Sequence, residues 1–366
     1  LMYLGKSKQA ILLAGFLFIV FSVCGQEGKR FNYHFNGDLQ ERNVITGDRS
    51  ITIYYTLSDI DLDNFTNENG AFYRISAPGH TQTSDPGKPE LPVFGRVISI
   101  PDGVSFRIKI SEVRSAVVNP SRNNIRGMLF PSQHGETKTV LSQKQKFVID
   151  KKAYSRRGLI NSDTVIIESL GKIRGKSFSN LTIAPVRYNP GSNILEVITS
   201  MKIEIIFSES ITSFAKSASD ESSLFNETLA KGVLNYYPET LITGYSDKPV
   251  GMIILTDTTF RKHLEPFYTW KRQKGFKLDI LYRGEGMAGI SHTELKESVS
   301  RIYSSSLAEG YPPEYLLIIG STERIPYYGS GNITDLYYGE FDGNGDYLPD
   351  MYIGRIPAPD TTAVKS

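Results

Sequence analysis

The stretch Tyr268-Thr269-Trp270-Lys271-Arg272-Gln273-Lys274-Gly275-Phe276 decides the fold. It reads as the last turns of a helix that stops at a glycine and passes straight into a buried strand. Lys271, Arg272 and Lys274 put cations in the last turn, where they complement the helix dipole, and Gly275 supplies the permissive backbone of a C-terminal cap. Upstream, Phe260, Leu264, Phe267 and Tyr268 recur at helical spacing. The runs on either side, Gly251-Met252-Ile253-Ile254-Leu255-Thr256 and Phe276-Lys277-Leu278-Asp279-Ile280-Leu281-Tyr282, are short, apolar and rich in β-favouring residues, so the pattern is strand, helix, strand.

The pattern then repeats. Ser291-His292-Thr293-Glu294 has the form of a capping box and opens a helix whose Leu295, Val299, Ile302, Tyr303 and Leu307 are expected to share a buried face. It stops at Gly310 before Pro312-Pro313. Tyr315-Leu316-Leu317-Ile318-Ile319-Gly320 is a third strand without polar positions. Unbroken apolar strands alternating with helices imply a mainly parallel sheet covered on both faces. Active sites in such sheets lie at the carboxyl ends of the strands.

Outside this block the chain changes character. Residues 26–210 are read as β-structure: Phe106-Arg107-Ile108-Lys109-Ile110 alternates, and so does the run Leu195, Val197, Thr199, Met201, Ile203, Ile205, Phe207. Turn signals such as Pro78-Gly79, Asp85-Pro86-Gly87, Pro101-Asp102-Gly103 and Asn189-Pro190-Gly191 separate the strands. Residues 211–249, where Ser, Thr, Lys and Glu dominate and alternation stops, read as a linker. At the start, Lys6 and Lys8 precede an uncharged apolar run from Ala10 to Val23, the pattern of a secretory signal peptide ending near residue 25 and too short for a comfortable membrane span. A lipid anchor at Cys24 is the rival reading, against which Phe21-Ser22-Val23 is a poor lipidation context.

Removing residues 1–25 takes away Lys6, Lys8 and no acid, so the formal charge falls from +2 to zero, which argues against nucleic acid as a partner. The same cut removes Cys24, the single cysteine, so residues 26–366 hold neither a disulfide nor a thiol nucleophile. No second apolar run is long enough to span a bilayer, and the remainder is expected to be exported, secreted or held at the cell surface.

Three local patterns could carry chemistry. Asp342-Gly343-Asn344-Gly345-Asp346-Tyr347-Leu348-Pro349-Asp350 alternates carboxylate or amide oxygens with glycines, an arrangement that can converge on a hard cation such as calcium. It opens like an EF-hand loop, but Tyr347 stands at the glycine position and Ile353 at that of the bidentate glutamate, and a hairpin turn with solvated acids reads equally well. Gly284-Glu285-Gly286-Met287-Ala288-Gly289 matches a dinucleotide fingerprint, yet the helix begins after its last glycine and the next strand ends without a ribose-binding acid. Asn332-Ile333-Thr334 is a glycosylation sequon by pattern.

Taken together and in order, several stretches resemble one family. Asp85-Pro86-Gly87-Lys88-Pro89-Glu90-Leu91-Pro92, Ile98-Ser99-Ile100-Pro101-Asp102-Gly103 and Ile183-Ala184-Pro185-Val186-Arg187-Tyr188-Asn189-Pro190 are similar to the propeptide of gingipain-like cysteine peptidases. Trp270 to Phe276, Tyr315 to Gly320 with Ile325-Pro326, and Asp350-Met351-Tyr352-Ile353-Gly354-Arg355-Ile356 resemble the first part of that family's catalytic domain. The resemblance implies a multidomain chain, a β-rich prodomain followed by an incomplete caspase-like α/β domain over residues 250–366, with activation cleavage in the linker at Lys216 or Lys231. It implies protein or peptide substrates, export through a type IX secretion machinery, and a structural calcium with Asp346 and Asp350 and main-chain oxygens of Gly343 and Leu348 at ligand positions, to which the loop pattern adds Asp342. A further family ligand position is occupied here by Ser321.

The family's catalytic histidine lies between glycines and its cysteine further on. His34, His80, His134, His263 and His292 all lack that context. Both catalytic groups are therefore expected beyond Ser366. A sortase of the same family and a non-catalytic, calcium-stabilised surface or adhesion protein are the alternatives.

Overall fold

The computed structural model describes residues 30–35, 44–135, 146–160, 163–210, 222–236, 249–286, 288–330 and 333–365. The stretch read as a signal peptide, Cys24, Lys216 and Asn332 lie outside them. The first part is built of thirteen described strands: β1 (Arg30–His34), β2 (Val44–Thr46), β3 (Ser50–Thr56), β4 (Asp59–Asn67), β5 (Gly70–Ser76), β6 (Thr81–Gln82), β7 (Pro92–Ser99), β8 (Phe106–Val118), β9 (Met128–Leu129), β10 (Val165–Ile173), β11 (Lys176–Ile183), β12 (Val186–Asn189) and β13 (Ile194–Phe207). One turn of helix, α1 (Lys151–Tyr154), interrupts them. They form three sheets, ordered β1-β4-β5-β9, β10-β11-β7-β6 and β12-β13-β3-β2, with β8 on the other edge of β13.

The alternation of β13 is realised: Leu195, Val197, Met201, Ile203, Ile205 and Phe207 are buried in one core with Ile51, Ile53, Leu62, Ile75 and Leu181. That of β8 is not, because among the described residues β8 pairs with β13 alone and nothing covers its outward positions; Phe106, Ile110, Val113 and Val117 are exposed. A polar knot sits within this core. Asn193, in the left-handed region at φ 52°, accepts at Oδ1 from the hydroxyls of Tyr73 and Tyr188, each at 2.9 Å, and donates to the Gly127 carbonyl at 3.1 Å. Both tyrosines are fully buried. Asn193→Ala is expected to lower stability by about 2 to 3 kcal/mol, since it strands buried hydroxyls; urea denaturation checks it, and a loss under ~0.5 kcal/mol, an ordinary surface effect, would overturn this role.

The stretch read as linker contains a helix, α2 (Ser223–Gly232), capped by Ser222, whose Oγ accepts from Phe225 N–H. Its apolar residues pair the two halves of the chain rather than joining them loosely. Leu229 and Val233 pack with Phe178 of β11, while Phe225 stacks on Tyr352 at 4.5 Å. Beyond the helix, Asn235 exchanges two hydrogen bonds with the backbone of Ser99.

The second part follows the expected alternation: β14 (Val250–Thr256), α3 (Arg261–Gln273), β15 (Phe276–Tyr282), α4 (His292–Ala308), β16 (Tyr315–Ile319), β17 (Tyr352–Ile356) and α5 (Thr361–Lys365). The sheet is parallel throughout, in the order β15-β14-β16-β17. Alternate residues of β14 serve opposite faces: Ile253 and Leu255 pack toward Leu295, Val299 and Tyr303 of α4, while Met252 and Ile254 pack toward Leu264 and Tyr268 of α3. α3 ends as the cations and glycine imply, with Gly275 at φ 87°. The capping box at Ser291 and Glu294 is fully formed. The buried face of α4 is corrected at its end, where Leu307 is exposed and Ser306 is buried instead, and it also takes in Ser298 nearer the start.

Candidate functional site

Two ends of the parallel sheet have different character. The chain leaves β14 through α3 to β15 on one side and returns through α4 to β16 on the other, so the connections diverge at the carboxyl ends of the strands, where such sheets place their sites. There Thr256 is buried and donates to the Ile319 carbonyl at 3.0 Å, and Arg283 donates through Nη1 to the carbonyls of Glu323 and Arg324 at 3.0 and 2.7 Å. Arg355 of β17 donates through Nη1 to Gly320 and Ile325, each at 2.9 Å, and its Nε and Nη2 reach the two oxygens of Asp335 at 2.7 and 2.6 Å. The Ile-Gly-Arg stretch thus has a local reason: one guanidinium ties the loop after β16 to that before β17.

The glycine-rich loop after β15 makes no phosphate cradle. Gly284 N–H donates to the Gly289 carbonyl at 3.0 Å, and the first N–H groups of α4 are engaged by its own Ser291–Glu294 box, with Glu294 Oε2 accepting from Ile290 and Ser291 N–H, both at 3.0 Å. His292 lies edge-on to Tyr328 and Tyr337, which stack at 4.0 Å. His263 is half-buried on α3.

At the opposite, amino end of the sheet lies the acidic loop, immediately before β17. The structure brings its acids together, but unequally. Asp346 and Asp350 are buried, whereas Asp342 and Gly343 are exposed and Leu348 packs against the small cluster of Phe178, Leu229 and Val233. Gly343 and Gly345, at φ 93° and 85°, make the coil tight enough for Asp342 N–H to reach Asp346 Oδ2 at 3.1 Å. Burial, with Asp342 and Asp346 nearby, pushes the Asp350 carboxyl up to about 7, opposed by the adjoining Arg174.

What occupies the loop comes from far upstream. In the β10–β11 hairpin, Arg174 at φ 51° and Gly175 at φ 75° form a two-residue turn of the primed type. A bulge between Ser169 and Gly171 turns the Leu170 carbonyl outward, where it accepts from Tyr347 N–H at 2.9 Å. Lys172 N–H donates to Asp346 Oδ1 at 3.2 Å and Arg174 N–H donates to Asp350 Oδ1. The buried Arg174 side chain approaches the Pro313 and Asp350 carbonyls through Nη1 at 3.4 and 3.5 Å, and its guanidinium lies 5.0 Å over the Phe225 ring. Lys172 Nζ pairs with Asp102 at 2.8 Å.

Among the described residues no three acids, histidines or cysteines converge as a metal requires, and the inward oxygens of Asp346 and Asp350 already accept N–H groups. The sequence reading missed the hairpin. Its only signal is local: Arg174-Gly175 between two β-favouring runs, with Gly171 three residues before the turn.

The model of the C25 propeptide matches residues 32–240, and that of peptidase family C25 matches residues 245–366. The chain belongs to peptidase family C25. Lys-gingipain of Porphyromonas gingivalis is 30% identical over 312 residues, which is 83% of this C25 chain but 18% of that relative; Lys-gingipain W83 matches to the same extent. The C25 chain therefore spans less than a fifth of the length of the curated relatives it matches. Among solved structures, one described as the zymogenic latency of gingipain K from the same organism aligns at a TM-score of 0.46 and 23% identity, covering 50% of this chain and all of that one. The complex of P. gingivalis RgpB pro- and mature domains aligns at 0.44 and 12%, covering 53% and 97%.

Proposed function

We propose that this chain is the pre-pro region and the first part of the catalytic domain of an exported C25 cysteine endopeptidase. The β-rich part acts as the propeptide, roughly residues 26–210. The nucleophilic cysteine and its histidine partner belong to residues beyond Ser366, on a caspase-like continuation of the sheet. The observation that carries this reading is the seating of the hairpin tip and α2 against the α/β part: one half of the chain grips the other through buried Arg174 and Phe225 and half-buried Tyr352 rather than merely preceding it. Such a grip suits a segment that helps the α/β part fold and holds it until cleavage.

Of the two candidate activation positions, Lys231 lies among the described residues. Its side chain is 75% exposed and bonds only to Glu227 among the described residues, but it sits in α2, which must fray before a protease can accept it. Protein or peptide substrates, passage through a type IX machinery and release to the medium or the cell surface are parts of the same proposal. No helix among the described residues is long and apolar enough to cross a membrane. Calcium is proposed as the ion that Asp342, Asp346 and Asp350, with main-chain oxygens of Gly343 and Leu348, hold once the hairpin has withdrawn.

Reading the gene past the codon for Ser366 tests the enzyme assignment. A histidine between glycines followed by a cysteine after an apolar strand is expected, and a peptidyl probe that alkylates thiols should label that cysteine in the processed protein. A continuing domain without either residue would remove the catalytic reading.

A further inference from the structure

Helix α2 lies between the two parts of the chain, and its residues divide by face. Phe225 and Thr228, one turn apart, form a stripe toward the α/β part. Phe225 stacks on the Tyr352 ring at 4.5 Å, and the Tyr352 hydroxyl meets Thr228 Oγ1 at 2.6 Å and donates to the Leu224 carbonyl at 3.3 Å. Ser222, ahead of them, donates to Glu314 Oε1 at 2.5 Å. Asn226, Leu229 and Val233 form the neighbouring stripe, toward the β-rich part. Asn226 Oδ1 accepts from Lys176 Nζ at 3.4 Å, and Leu229 and Val233 pack on Phe178. The chain after the helix keeps to that side. Leu234 N–H donates to the Val97 carbonyl at 2.9 Å, Asn235 accepts from Ser99 N–H at 2.7 Å and donates to the Ser99 carbonyl at 2.9 Å, and the Tyr236 hydroxyl accepts from Lys176 Nζ at 2.7 Å. The apolar contacts overlap, since Arg174 also reaches Phe225 and Leu348 also packs near Leu229. These hydrogen bonds do not: each stripe and its tail address one half.

We propose that residues 222–236 are a two-faced wedge: once the chain is cut, the wedge becomes part of whichever half keeps it and holds the other half through its remaining face. This rests on the propeptide reading above for the occasion of the cut. A cut ahead of Ser222 leaves the wedge on the α/β part, and the β-rich half is then held through Val97, Ser99 and Lys176. A cut beyond Tyr236 leaves it on the β-rich half, which then holds the α/β part through Glu314 and Tyr352. A cut after Lys231 divides the wedge, and each half keeps the piece that bonds the other, so the contacts to Tyr352 and those to Ser99 both run between the halves. Exposed Lys231 is thus the position whose cleavage loosens the two halves least. The side of the cut decides which bonds must break before the β-rich half departs.

Two forms of the whole chain test this, one with a recognition sequence for a foreign site-specific protease inserted between residues 210 and 222, the other with it between residues 236 and 249. After the front or the rear cut, sedimentation gives the dissociation constant of the halves for the parent, for Asn235→Ala and for Tyr352→Phe. Asn235→Ala removes two hydrogen bonds to the β-rich half, and is expected to weaken the front-cut complex at least about tenfold and the rear-cut complex less than about twofold. Tyr352→Phe keeps the ring on Phe225 and removes the hydroxyl; it is expected to do the reverse, weakening the rear-cut complex at least about fivefold and the front-cut complex less than about twofold. The hairpin tip is present in both cut forms and cancels from the comparison. Either variant acting alike on both complexes, or on neither, would overturn the wedge, and so would halves that separate at once after both cuts. Because a foreign protease makes the cut, a gene without the downstream histidine and cysteine would remove the enzyme reading and leave the wedge standing.

Discussion

Arg355→Ala is expected to lower the stability of the α/β part by about 3 to 5 kcal/mol, the cost of removing one partner from a largely buried charge pair. The Arg355 side chain is 11% exposed and that of Asp335 25% exposed, so the aspartate left behind is unpaired and only partly solvated. The loss goes beyond the ion pair, because the same guanidinium satisfies the carbonyls of Gly320 and Ile325 at the end of β16. Arg355→Lys should recover little, since an ammonium cannot span both carboxylate oxygens and two carbonyls from one position. Asp335→Asn, which keeps the shape and one acceptor, should cost less than either. Trp270, the single tryptophan, lies on α3 and reports this half alone, so its fluorescence during urea denaturation isolates the effect from the β-rich half. A shift below about 1 kcal/mol would mean that Arg355 is solvated rather than structural.

How much of this arrangement was legible depends on the range of the forces involved. The parallel sheet was legible because a strand covered on both faces has to be apolar at every position, as Ile253, Ile254 and Leu255 are, and because Gly275 and the Ser291–Glu294 box mark helix ends through contacts within four residues. The mistakes lie where a neighbour decides. Phe106 and Ile110 alternate correctly, yet β8 meets no layer on its outward side. Leu307 keeps helical spacing, but in the last turn of α4 the inward position is that of Ser306. α2 reads as linker because ten residues rich in Ser, Asn, Thr and Lys make a weak helix in isolation; Phe225, Leu229 and Val233 find partners in Tyr352 and Phe178, too distant in sequence for any window to see. The acidic loop was visible by composition and its occupant was not, since a contact between Lys172 and Asp346 leaves no local trace in either segment.

Arg174 shows the same contest within a single residue, and it yields the second large effect. At φ 51° a side chain costs of the order of 1 kcal/mol that glycine would not incur, so the turn tolerates strain in order to place a guanidinium there. Arg174→Ala keeps the strain and removes the group that lies over Phe225 and beside Asp350. A buried arginine at the centre of a contact of this kind is worth roughly 2 to 4 kcal/mol of docking. The variant should therefore uncouple the halves, with the Trp270 transition separating from loss of protection in β10 and β11 measured by hydrogen exchange, where the parent shows the two together. Arg174→Gly removes the same contacts but also the strain, and is expected to be about 1 kcal/mol more stable than Arg174→Ala. Alanine more stable than glycine would show that the turn is not left-handed. Equal coupling in all three proteins would show that α2 and Tyr352 alone hold the halves together and that the hairpin tip only rests against the loop.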